Sequence, residues 1–181
     1  EAARLNQLFG EHHGLVFPKQ QLTPDEQIAF AHHWGELVPF PYGSLPGYPN
    51  IIELRNHGKK RDVNQHWHSD MTYDPKPPKL TMLYALEAPA IGGETAFANQ
   101  IHAYEELSTG MKSLVDSLVA LHSAKDLARL YGQDPDQASE AEHPVVRTHD
   151  ETGQRALYVC GAFTRQFRDW SRQESKVVLD S

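Results

Sequence analysis

In the stretch Gln65-His66-Trp67-His68-Ser69-Asp70, an imidazole and a carboxylate stand two positions apart at His68 and Asp70. Two His and one carboxylate on one face of an ion, with the opposite face open, form the ligand set of mononuclear non-haem Fe(II) oxygen chemistry. In extended chain, side chains at i and i+2 point the same way, so one strand end could present both groups. Trp67 would then pack inward beneath them, and the prolines of Asp74-Pro75-Lys76-Pro77-Pro78 would fix the path by which the chain leaves. The spacing alone is weak. A chain with 11 His places some of them near an Asp by chance, and a polar surface loop containing a Trp explains the stretch equally well. His149-Asp150-Glu151 is a weaker rival, because it falls in a turn beside Gly153 where charged residues are expected.

Elements around the motif must position it. Thr23-Pro24-Asp25-Glu26 predicts a helix start, with Thr as N-cap, Pro at the first position and Glu closing a capping box. Ile28, Phe30, Ala31 and Trp34 supply its apolar face, and Gly35 can end it. Residues 15–17, 50–54, 80–86 (LTMLYAL) and 95–98 read as strands, the last after a Gly92-Gly93 turn. Residues 101–107 and 111–119 read as helices separated by Gly110. Residues 145–148 and 156–159 flank HDETGQR, a hairpin pattern. The close, SRQESKVVLDS, begins a helix at Ser171 and Glu174, and the opening EAARLNQLFGEHHG reads as the tail of a helix running into a strand. A domain truncated at both ends is the expectation. Short strands separated by Pro/Gly turns, with a few helices, predict a mainly β sandwich or barrel with flanking helices.

Composition narrows the function classes. The chain has 181 residues, the length of one domain. Its net charge of −7 argues against general affinity for nucleic acid or an anionic membrane surface. No apolar run reaches the ~18 residues of a spanning helix. A single Cys160 cannot form an internal disulfide, which fits a reducing, cytoplasmic setting. A small-molecule substrate is the expected partner, and self-association into a homo-oligomer stays open.

Beyond composition, WHSDMTYDPKPP followed by LYALEAPAIGGETAFANQIHAYEELS resembles the signature of the taurine dioxygenase (TauD/TfdA) family. HPVVRTHDETGQRALYV with GAFTRQF is similar to that family's later hairpin, and TPDEQIAFAHHWGEL to its N-terminal helix. The resemblance runs over residues 1–181 in the right order. It implies a single domain with a double-stranded β-helix (jelly roll, cupin-like). It further implies an Fe(II)- and 2-oxoglutarate-dependent dioxygenase that uses O2 to hydroxylate a small organic acid (sulfonate, sulfate ester or carboxylate), releasing succinate and CO2. On the same footing, His68 and Asp70 resemble the first two iron ligands, Thr95 the threonine that helps hold the distal carboxylate of 2-oxoglutarate, and Asn64 and Met71 substrate-contacting positions.

Two departures from the family pattern stand out. The family's third ligand, a His, and its 2-oxoglutarate-binding Arg follow the segment in which this chain ends. His102, His122 and His143 sit in other motifs and are poor substitutes, and Arg147 and Arg165 occupy other family positions. Phe40 stands where the taurine enzyme has a sulfonate-binding His, with Tyr42 offset by one position. A non-catalytic, cupin-like binding or scaffold protein that has lost the metal site is the alternative of a different class.

Overall fold

Helix α2 (Pro24–Ala31) starts where the capping pattern predicts it. Thr23 Oγ1 accepts from the Glu26 amide at 3.3 Å, and the Glu26 carboxylate accepts from the Thr23 amide at 2.8 Å. These two bonds satisfy amides that the first helical turn leaves without partners. The computed structural model describes residues 2–55 and 65–181. The chain divides into two compact units, Glu1–Lys59 and Lys60–Ser181.

The first unit contains α1 (Ala2–His12) and α2. Phe30 of α2 meets Phe17 edge-on at 5.7 Å and Trp34 at 5.0 Å, an apolar contact that the sequence pattern anticipates. The strands expected at 15–17 and 50–54 do not form ladders. Here an isolated bridge joins Leu45 to Tyr48, and Val16 is 90% exposed.

In the second unit α3 (Gln100–Glu106) and α4 (Thr109–Val115) are capped by Asn99 and Ser108, whose side-chain oxygens accept amides of the first turn. Helix α4 ends at Val115, short of the expected 119, and the chain turns into strand β1 (Val119–Ser123). Tertiary pairing overrides local propensity there. β1 lies between β2 (Glu140–Pro144) and β5 (Thr164–Phe167), antiparallel to both. Helix α5 (Lys125–Leu130) follows β1, and a separate hairpin joins β3 (Val146–Thr148) to β4 (Arg155–Leu157), as the sequence predicts. Helix α6 (Arg172–Leu179) starts on the expected Ser171–Glu174 capping box.

Tyr104, Val115, Leu118, Ala120, Val145 and Phe167 form the core of this unit, between α3, α4 and the sheet. The β1–β5 ladder slips by one residue: Leu121 faces Gln166 but His122 faces Thr164, leaving Arg165 as an extra residue on β5. The segments 80–86 and 95–98, expected as strands, run outside any ladder among the described residues. Leu83, Leu86 and Phe97 there are largely exposed. An extended segment becomes a strand only when a neighbour takes up its amides and carbonyls. Among the described residues, no helix is long and apolar enough to cross a membrane.

Candidate metal centre

The segment from Trp67 to Asp74 is pinned to the sheet unit at several points. The Trp67 carbonyl accepts from the Ala162 amide at 3.3 Å. Phe163, next along, is 4% exposed and sets its ring edge-on against both His68 (6.1 Å) and Tyr73 (5.1 Å). Trp67 itself is 61% exposed, so it does not pack beneath the pair as expected. Phe163 takes that place, because its backbone is fixed by Ser123, whose amide donates to the Phe163 carbonyl at 2.9 Å. The exit is fixed too. His143 Nε2 donates to the Asp74 carbonyl at 3.1 Å, and Asp74 Oδ1 accepts from the Lys76 amide at 2.8 Å.

Between these pins the chain makes a tight reversal at Met71, whose φ is +53°. For a side chain larger than Gly this left-handed conformation costs roughly 1–2 kcal/mol. It persists where surroundings over-determine it. Here the next two side chains, Thr72 (1% exposed) and Tyr73 (2%), are buried, and the Asp74 amide donates back to the Met71 carbonyl at 2.9 Å. The sequence gives no hint of this turn.

The reversal presents His68 and Asp70 together. His68 Nδ1 lies 2.7 Å from the His66 carbonyl, which can only accept, so Nδ1 carries the proton and Nε2 offers a lone pair. Nε2 faces Asp70 Oδ1 at 3.3 Å. The other carboxylate oxygen, Oδ2, accepts a 2.6 Å hydrogen bond from Thr81 Oγ1. With neutral imidazole, two lone-pair donors therefore point at one another across 3.3 Å, an arrangement that a cation stabilises. Two atoms each about 2.1 Å from one ion, at somewhat more than a right angle, are about 3.0–3.3 Å apart. The pair fits a metal ion. The Asp70 carboxyl is held below its usual range first by the adjacent His68 ring, opposed by burial and assisted by Thr81.

The third donor is a different matter. Among the described residues, no group of three or more His, Cys, Asp or Glu side chains comes together. His122 is fully buried and His143 holds the Asp74 backbone, so neither serves. His149 and Asp150 sit in the β3–β4 turn, where Glu151 pairs with Lys79 at 2.5 Å. Thr95 is exposed in the segment after Gly93, and Met71 is half-buried beside Asp70. Asn64 lies outside the described residues. Sequence reading missed Thr81 on Asp70, Phe163 beside His68, and the buried contact of His122 with Thr72.

Known proteins resemble the chain over nearly all of its length. The profile of the family described as "Taurine catabolism dioxygenase TauD, TfdA family" matches residues 1–181. An alpha-ketoglutarate-dependent sulfonate dioxygenase of Saccharomyces cerevisiae is 34% identical over 92% of this chain and 44% of its own length. An alpha-ketoglutarate-dependent sulfate ester dioxygenase of Pseudomonas putida is 33% identical over 91% of this chain and 59% of its own. The crystal structure of AAD-2 in complex with Mn(II) and N-oxalylglycine is 25% identical with a TM-score of 0.79, covering 99% of this chain and 67% of that one. The chain spans about half the length of the curated relatives it matches.

Proposed function

The chain belongs to the taurine catabolism dioxygenase TauD, TfdA family, and from that membership we propose that it carries the metal-binding segment of an Fe(II)- and 2-oxoglutarate-dependent dioxygenase. One observation carries the reading: His68 Nε2 and Asp70 Oδ1 face each other at 3.3 Å while Nδ1 is committed to the His66 carbonyl. When bound, Fe(II) with 2-oxoglutarate and O2 supplies oxidising chemistry that takes the cosubstrate to succinate and CO2 and one aliphatic C–H of the substrate to C–OH. The residues do the rest. His68 and Asp70 hold the metal, Thr81 keeps one carboxylate oxygen of Asp70 turned away, and Phe163 walls the imidazole on its buried side. The third ligand and the Arg that pairs with 2-oxoglutarate are proposed to come from sequence beyond these 181 residues, within the same jelly-roll domain. The relatives' greater length supports this.

Thr95 is proposed to donate its hydroxyl to the distal carboxylate of 2-oxoglutarate, and Asn64 and Met71 to line the substrate site. The substrate class is a small organic acid bearing a sulfonate, sulfate ester or carboxylate, the groups that the relatives' names support. Phe40, which lies edge-on to Tyr42 at 5.5 Å, carries no hydrogen-bond donor for an anion. Taurine is therefore expected to be a poor substrate beside bulkier or more apolar acids. Leaving a buried anion short of one partner costs about 1–3 kcal/mol, or roughly tenfold to hundredfold in affinity.

Anaerobic reconstitution of the full-length protein with Fe(II) and 2-oxoglutarate tests the reading. A weak visible charge-transfer band, abolished in Asp70→Ala, is expected. Its absence from the wild type refutes the oxygenase reading in favour of a binding protein without redox function. A substrate panel read by succinate release then tests the substrate class, and taurine as best substrate by a wide margin overturns the role given to Phe40.

A further inference from the structure

We propose that His122 and His143 form a buried two-point clamp, through Thr72 and the Asp74 backbone, that positions the turn presenting His68 and Asp70. The inference rests on reading that pair as a metal seat. His122 comes from β1 and His143 from the adjacent strand β2. His122 Nδ1 lies 2.9 Å from Thr72 Oγ1, an interaction spanning 50 positions of sequence and wholly buried. His143 Nε2 takes the Asp74 carbonyl two residues further on. The two rings stand 5.4 Å apart at 77°, and Tyr158 packs on both, at 5.7 Å from His122 and 5.3 Å from His143. Neither imidazole is free to turn.

The clamp grips the residues that immediately follow Met71, where the backbone is in its left-handed conformation. Release of Thr72 would let that residue relax, and the angle between the Asp70 carboxylate and the His68 ring would change with it. A buried imidazole is an expensive way to fill space in a sheet, since an apolar side chain needs no partner. His122 Nε2 has at most a loose contact with the Tyr158 backbone and no well-formed hydrogen bond, so the ring is retained in spite of a poorly satisfied nitrogen. Its return is the hold on Thr72. Burial, with smaller contributions from His143 and Arg165 and against the Tyr158 backbone, pushes the His122 pKa down to about 4, so the ring stays neutral and keeps that bond at physiological pH.

Mn(II) titration of the full-length protein, followed by electron paramagnetic resonance and paired with urea unfolding, tests this. His122→Phe should weaken Mn(II) binding about tenfold or more, the scale on which outer groups tune metal affinity. His122→Asn, whose amide sits where Nδ1 does, should recover most of it. Thr72→Val should match His122→Phe, and the double variant should lose no more than either alone. If His122→Phe lowers unfolding stability yet leaves Mn(II) affinity within twofold of wild type, the histidine is only a core residue and the inference fails. Should His122→Phe not fold, Thr72→Val decides alone, and unchanged affinity there also overturns it. A wild-type protein that binds no Mn(II), or an Asp70→Ala variant that binds it undiminished, refutes the metal reading and this inference with it.

Discussion

Removing the Thr81 hydroxyl should weaken the proposed metal seat without emptying it. Thr81 Oγ1 donates to Asp70 Oδ2 at 2.6 Å, a short bond to a charged acceptor. Such bonds contribute about 1.5–3 kcal/mol when shielded from water. The Asp70 side chain is 45% exposed, so water replaces part of the loss and the lower end applies. About 1.4 kcal/mol corresponds to tenfold in affinity. Thr81→Val should therefore bind Mn(II) roughly tenfold more weakly than wild type, while Thr81→Ser, which keeps the hydroxyl, should stay close to it. The pH dependence moves as well. His68 is the main cause of the low Asp70 pKa and Thr81 a lesser one. Without Thr81 the carboxyl titrates higher, and protons compete with the metal to a higher pH. Titrations of the full-length protein at two pH values read both effects. The reasoning is refuted if Thr81→Val binds within twofold of wild type, or if Thr81→Ser is as weak as Thr81→Val.

Three further outcomes are expected. His122 has a folded pKa of about 4 against an ordinary 6.5, so the unfolded chain takes its proton first. Its contribution to stability is intact above pH 6.5 and lost as pH falls toward 4, amounting to about 2 kcal/mol at pH 5. Urea unfolding across that range should show a steeper loss for wild type than for His122→Asn, and parallel curves would contradict it. Phe163→Ala opens a cavity between His68 and Tyr73 and should cost about 3–5 kcal/mol of stability, together with metal affinity. A fall in stability with unchanged Mn(II) binding would separate Phe163 from the centre. Ser171→Ala removes the α6 capping box and should cost about 1 kcal/mol in thermal unfolding while leaving metal binding alone.

What the sequence made legible was local. The capping boxes of α2 and α6 are short-range hydrogen-bond patterns, and both formed as read. The β3–β4 hairpin follows from a turn between two apolar runs. β1 was hidden, since 111–119 has helical spacing and Val119–Ser123 becomes a strand only when β2 and β5, distant in sequence, arrive on its two edges. His68 and Asp70 could be singled out by type and spacing. Their supports could not, because Thr81 reaches Asp70 across 11 positions and His122 reaches Thr72 across 50, contacts that exist only once the chain is folded. The wrong expectation for Trp67 has the same origin. Alternation predicts which way a side chain leaves a straight strand, and this chain instead reverses at Met71.

The single unmatched residue on β5 sets a parity. Side chains alternate along a strand, so one extra residue exchanges the faces of everything on one side of it. With Arg165 inserted, Thr164 stands opposite His122, and Phe163 just before it lies under His68. Pairing Arg165 itself with His122 would give β1 and β5 an unbroken ladder, a gain by the measure of hydrogen bonds alone. It would also turn Phe163 away from the imidazole and move the guanidinium that meets Asp126 at 2.8 Å. Regularity in the sheet and the setting of Phe163 against His68 are thus opposed here, and the chain carries the irregular strand.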